Sequence, residues 1–159
     1  MSNHVAAVEW TRREAVFTDN RYSRAHRWTF DGGASVPASS SPDVVRVPLS
    51  DPTHVDPEEA YVAALSSCHM LWFLGLAAAA GYVVDSYSDH CEGHMAHAAD
   101  GGDWMSHLEL RPMVTFSGDV VPDASAVERL HHEAHQKCFL ARSVRTNIRI
   151  RGDWRYQAP

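Results

Sequence analysis

From Ala60 to Val84 the chain carries no Asp, Glu, Lys or Arg, and no other stretch of its 159 residues constrains the fold as strongly. A run of that length is enough to cross a bilayer as a helix. Its composition argues against that use. It is rich in alanine, contains Ser66, Ser67, His69, Gly75 and Gly81, follows an acidic flank, and has no Lys or Arg at either end. A core helix is expected instead, apolar on every side without being strongly greasy. Its ends are punctuated. Asp56 is a good N-cap, Pro57 fits the first helical position, Glu59 completes a capping-box pattern, and Gly81 suits the position after a helix end. Roughly 24 residues at about 1.5 Å each give a rod of about 36 Å. Such a rod in so small a protein is expected to need a partner's surface.

The remaining pattern reads as strands around a second helix. Residues 5–12 and 21–30 are rich in Val, Trp, Tyr and Phe and are separated by the turn Thr18-Asp19-Asn20. Residues 31–43 read as a loop, and 44–49 as a short strand. Residues 82–98 and 106–117 look like a strand pair joined by Asp100-Gly101-Gly102-Asp103. A helix is expected from near Ser125, with Glu128 closing its capping box, to about Leu140, and a last strand over 144–154. The order predicts one α+β domain over residues 1–159.

Charge narrows the function. A formal net charge of −6 gives no basic stripe for nucleic acid. Arg142, Arg145, Arg149 and Arg151 form the one basic set, expected on a solvated strand face. The first ten residues have neither a basic nor an apolar region of a signal peptide. Three cysteines do not close a disulfide framework, so a reducing cytoplasm fits best.

Cys68 and Cys138 are the candidate reactive groups. Cys68 has Tyr61, Ala64, Leu65, Leu71, Trp72 and Gly75 as helical neighbours, and burial there would raise a thiol pKa unless a cation lies nearby. Cys138 falls on a stripe with Val127, Leu130, Ala134 and Ala141. If the two helices pack, the two sulfurs could meet in a transient disulfide. Either cysteine could also be an inert core residue. Two histidine-rich segments suggest a rival metal reading: His131, His135 and Cys138, and His90, Cys91, His94 and His97. Neither matches a zinc signature. His69 and His135 adjoin the two cysteines and could tune them. No phosphate-binding glycine loop is present.

Asp56-Pro57-Glu58-Glu59, followed by small residues into Ser67-Cys68-His69, resembles the first active-site motif of the OsmC/Ohr peroxidase family. There an Asn-Pro-Glu-Glu/Gln sequence leads to a reactive cysteine ten residues after the first glutamate, the spacing of Glu58 and Cys68. The segment Ala134-His135-Gln136-Lys137-Cys138-Phe139-Leu140-Ala141-Arg142-Ser143 resembles the second cysteine motif. Phe139 stands where many members have proline, and His69 where many have a bulky apolar residue.

The resemblance implies an OsmC-like α+β fold, with antiparallel sheets around two central helices in an intertwined homodimer. It implies a thiol peroxidase of small organic hydroperoxides, with Cys68 peroxidatic and Cys138 resolving. No bound cofactor is expected; an external dithiol would reduce the disulfide, and neither nucleic acid nor membrane is a partner. Glu58 matches a glutamate that holds a catalytic arginine, for which Arg21 is the first candidate and Arg24 the second. Ten helical residues rise about 15 Å, so Glu58 is expected to act on Cys68 of the partner chain. The alternative is a non-catalytic protein that binds a small apolar ligand in a dimer pocket.

Overall fold

The computed structural model describes residues 2–158, in two compact units that meet at Ala60 and Tyr61. The first unit holds a three-stranded antiparallel sheet in the order β1-β2-β3, from Ala6–Glu9, His26–Phe30 and Ser35–Ala38. The expected loop over 31–43 contains β3, because Asp31-Gly32-Gly33-Ala34 makes a tight hairpin that returns the chain against β2. Pro37 is tolerated there because β3 is an edge strand. Residues 44–49, expected as a strand, form successive turns, and residues 21–25 precede β2 rather than belonging to it.

Helix α1 runs over Pro57–Ala79. Its capping box forms in both directions: Glu59 N–H donates to Asp56 Oδ1 (2.7 Å) and Asp56 N–H to Glu59 Oε2 (3.2 Å). Gly81, at φ +80°, turns the chain out of the helix as Tyr82 N–H closes on the Ala77 carbonyl.

In the second unit the long hairpin expected over 82–117 is split. A break at His90 and Cys91 divides β4 (Val83–Asp89) from β5 (Glu92–His97), and Arg111 divides β6 (Asp103–Leu110) from β7 (Pro112–Ser117). β4 pairs with β7 and β5 with β6, both antiparallel. Helix α2 (Ala124–Lys137) follows, then a 3₁₀ turn at Ala141–Ser143. The expected last strand is also two, β8 (Asn147–Ile150) and β9 (Asp153–Tyr156), interrupted at Arg151 and Gly152. Both add in parallel, giving sheets β5-β6-β8 and β4-β7-β9. The class is α+β, with one antiparallel sheet and two mixed ones.

One face of α1 carries the core. Phe73 and Ala77 pack with Val114 and Phe116 of β7 and with Val127, Leu130 and Ala134 of α2. Leu65 packs with Leu108 and Leu110 of β6, and Cys91, outside any strand, packs against this second cluster. Tyr61 Oη meets Thr146 Oγ1 at 2.6 Å, and Thr146 donates to the Met105 carbonyl (2.8 Å). Helix α1 is long and apolar enough to cross a membrane by length and composition. Its buried face is nevertheless that of a core helix.

The N-cap of α2 is Asp123, not the expected Ser125: its carboxylate accepts from Ala126 N–H at 2.7 Å. Asp123→Ala is therefore expected to cost about 1 kcal/mol in urea denaturation, and Ser125→Ala, on an exposed helix surface, less than about 0.5 kcal/mol.

Candidate active site

Cys68 opens onto a cavity of about 650 Å³ along the face of α1 opposite the core. Ala64, Ser67, Leu71, Trp72 and Gly75 line it from the helix, and Phe139 and Leu140 close it from beyond α2. Trp72 and Phe139 meet edge to face, with ring centres 5.5 Å apart, and the Lys137 ammonium lies 5.6 Å from the Trp72 ring centre. None of the lining residues is charged.

Cys138 is reached differently from the expected helical stripe. α2 ends at Lys137, and Cys138 is its C-cap, with N–H donating to the Ala134 carbonyl at 2.9 Å. The cap turns its side chain inward, where it is buried and Sγ accepts from Ala141 N–H at 3.4 Å. Burial, then a hydrogen bond with Cys68, pushes the Cys138 thiol up to about 11. Both cysteines are free thiols, and the two residues that follow Cys138, Phe139 and Leu140, line the cavity of Cys68.

Glu58 lies in the first unit, half-buried, on a second cavity of about 450 Å³. Arg24 lines the same cavity and Arg21 does not. Trp10, Phe17 and Tyr22 form one wall, with Phe17 stacked on Tyr22 at 4.7 Å and Trp10 edge-on to Tyr22 at 5.2 Å. The Arg24 guanidinium lies 3.9 Å from the Tyr22 ring centre and donates to the Asn20 carbonyl (3.0 Å), Asn20 Oδ1 (2.7 Å) and the Tyr22 carbonyl. The expected carboxylate clamp is not formed: among the described residues no ion pair joins Glu58 to Arg24 or Arg21. Arg21 is exposed, and its backbone N–H is held by Asp19.

His69, beside Cys68 in sequence, points to the buried face of α1. Its Nε2 lies 3.1 Å from His131 Nδ1, the rings are nearly parallel, and the outer nitrogens, His69 Nδ1 and His131 Nε2, have no partner among the described residues. A side chain at Gly152 would put its Cβ 2.8 Å from His131 Nε2, so glycine admits the ring. Burial holds the two rings down to about 3 and about 4. His135 is also lowered, first by burial and then by His132. The metal reading of the histidine segments finds no support in the geometry: among the described residues no three His, Cys, Asp or Glu side chains assemble to hold an ion. His94 instead stacks on His107 at 4.3 Å.

Sequence reasoning missed the partners that orient α1. Ser66 Oγ donates to Asp89 Oδ2, and Arg111 N–H donates to Asp89 Oδ1 at 2.6 Å. Asp89 and His131 are distant in sequence from the groups they hold, and no local pattern announces them.

This arrangement is that of a thiol-bearing α+β protein with two helices, one carrying Cys68 and the other capped by Cys138. The family model of OsmC-like proteins matches residues 50–152, and the chain belongs to that family. An OsmC-like protein of unknown function from Vibrio cholerae is 49% identical, with 98% of this chain and 100% of that one covered and a TM-score of 0.91. An organic hydroperoxide resistance protein from Elizabethkingia anophelis shares the fold at 15% identity and TM-score 0.66, over 99% of this chain and 98% of that one. So does OhrB of Bacillus subtilis, an organic hydroperoxide resistance protein, at 14% and 0.60, over 97% and 98%. No curated protein matches the chain.

Both buried histidines have folded pKa values below the ordinary 6.5, so the unfolded chain takes up their protons first. Above about pH 6.5 both rings are neutral folded or unfolded and add no protonation-linked cost, and stability should fall as pH drops from there toward 4. A loss on the order of a few kcal/mol is expected over that window, and His131→Gln should flatten it. A pH series of urea denaturation measures both slopes.

Proposed function

We propose that the chain is a cysteine-based peroxidase that reduces small organic hydroperoxides to alcohols. What supports the reading is a free thiol, Cys68, at an apolar cavity whose other wall, Phe139 and Leu140, follows directly on a second free thiol, the buried Cys138. The Cys68 thiolate attacks the distal peroxide oxygen. The O–O bond breaks, sulfur is oxidised to the sulfenic acid, and the alkoxide leaves as alcohol after taking a proton. Cys138 Sγ then attacks the sulfenic sulfur and water leaves, giving the Cys68–Cys138 disulfide. An external dithiol returns both thiols and is itself oxidised to a disulfide. A Cys138 thiol that keeps its proton at neutral pH can donate a hydrogen bond to Cys68 and stabilise negative charge on it.

A guanidinium would stabilise that charge further. Arg24, which shares a cavity with Glu58, is preferred over Arg21 for this role, with Glu58 orienting it. Helix α1 is unbroken from Pro57 to Ala79, so ten residues separate Glu58 from Cys68 by a rise of about 15 Å. In this reading the glutamate and arginine serve Cys68 of a second copy in a homodimer. Exposed Leu71, Phe139 and Leu140 supply an apolar surface that such a dimer would cover. A protein relying on free thiols and a dithiol reductant suits the cytoplasm.

The alternative, a non-catalytic protein holding an apolar ligand, draws on the uncharged lining of the Cys68 cavity. Consumption of cumene hydroperoxide with dithiothreitol as reductant separates the two. The peroxidase reading expects turnover in the wild type and none in Cys68→Ser. Arg24→Ala should lose roughly 10²-fold and Arg21→Ala little. A wild type that consumes no peroxide would favour the ligand-binding reading.

A further inference from the structure

The first unit holds a further cavity, of about 710 Å³, that neither Glu58 nor Arg24 lines. Its volume is in the range of small-molecule sites. Three guanidinium groups stand on it: Arg12 and Arg13 follow β1, and Arg27 lies on β2. Against them the lining sets one carboxylate, Glu9, so two positive charges are left over in a chain whose formal net charge is −6. Glu9 and Arg27 are opposite each other in the β1–β2 register. Even so, among the described residues no ion pair joins Arg12, Arg13 or Arg27 to a carboxylate. Arg27 donates instead to Ser35 Oγ (2.9 Å), and Arg12 to the Ala15 carbonyl (3.0 Å). A guanidinium has five N–H donors, so most of theirs remain unused.

The backbone supplies a second observation. Ala15 N–H closes on the Arg12 carbonyl (3.3 Å), and Arg13, in the second place of that turn, has φ +55°. This left-handed conformation favours glycine, and an arginine holds it at a cost in stability. Backbone strain under a charged side chain at a cavity points to binding. The other ring groups of the lining are already committed. His26 Nδ1 donates to the Arg24 carbonyl (2.8 Å) and its Nε2 accepts from Trp28 Nε1–H (2.9 Å), while Trp10 Nε1–H donates to the Ser23 carbonyl (2.8 Å). The donors left for a ligand are chiefly the guanidinium groups.

Such a lining suits a compact anion with several oxygens. A phosphate monoester carries close to two negative charges and three strong acceptor oxygens, which suits three forked donors and the two unmatched charges. The cavity is roomier than a bare phosphate needs, and Trp10, Ala15, Ala25 and Pro37 give it apolar wall for an organic part. We propose that this cavity binds a small organic phosphate, its phosphate group held by Arg12, Arg13 and Arg27. The site stands or falls independently of the peroxidase reading.

Isothermal titration calorimetry tests it with phenyl phosphate, inorganic phosphate and succinate as probes, at about 0.15 M salt so that diffuse attraction to exposed charge is screened. Phenyl phosphate should bind saturably and one to one, inorganic phosphate more weakly, and succinate more weakly still. Arg13→Gly and Arg27→Gln should each weaken phenyl phosphate by about tenfold or more, and Arg142→Gln, outside the cavity, should change nothing. Arg13→Gly removes the charge and relieves the backbone, so its Tm should be no lower than that of the wild type although binding falls. Arg27→Gln repeats the test without touching the turn. The Trp10 indole N–H resonance should shift on titration in the wild type and stay in place in both variants. The proposal is overturned by the absence of saturable binding in the millimolar range, by binding that survives both substitutions, or by succinate binding as tightly as phenyl phosphate.

Discussion

The structure depends on a helix that is apolar on every side. A helix with one polar face can bury its other face and stop, whereas α1 must find cover for both. Its inner face is covered by β6, β7 and α2, through Leu65, Phe73 and Ala77. The opposite face has Cys68 on it and retains a cavity that only Phe139 and Leu140 begin to close. The same constraint accounts for the core and for a thiol set beside an apolar space.

The two cysteines illustrate how placement decides chemistry. Cys68 is carried by the middle of a helix and is half-exposed; Cys138 is turned inward by the end of one. Desolvation favours the neutral form of the buried thiol. One sulfur is therefore open to a cavity and the other is buried and held protonated. The stiffness of the arrangement comes from contacts distant in sequence: Ser66 with Asp89, Tyr61 with Thr146, and His69 with His131.

Much of this was legible locally. The capping box of Asp56 and Glu59 and the stop at Gly81 each lie within a few residues, and each formed as written. The family motif around Glu58, Cys68 and Cys138 was legible for the same reason. The breaks at Cys91, Arg111 and Gly152 were not. They divide continuous β-prone runs according to which sheet each half joins, and that choice is made by tertiary packing. The strand β3 was hidden by Pro37 and the serines around it, which a sheet edge tolerates. Ser125 was read as the N-cap because Glu128 follows it at capping-box spacing, whereas Asp123 has Ala126 at that place and only the backbone shows it to be the cap. The cavity shared by Arg24 and Glu58 joins segments more than thirty residues apart. The resemblance paired Glu58 with an arginine but ranked Arg21 before Arg24, and only the fold puts Arg24 on the cavity of Glu58.

The central claim is that Cys68 and Cys138 work as a pair. Intact-protein mass spectrometry after one equivalent of cumene hydroperoxide tests it most directly, on the reduced wild type and on Cys138→Ser. The pair predicts loss of two hydrogens from the wild type, and addition of one oxygen at Cys68 in the variant. Unchanged masses in both, with the proteins folded and reduced at the outset, would contradict it.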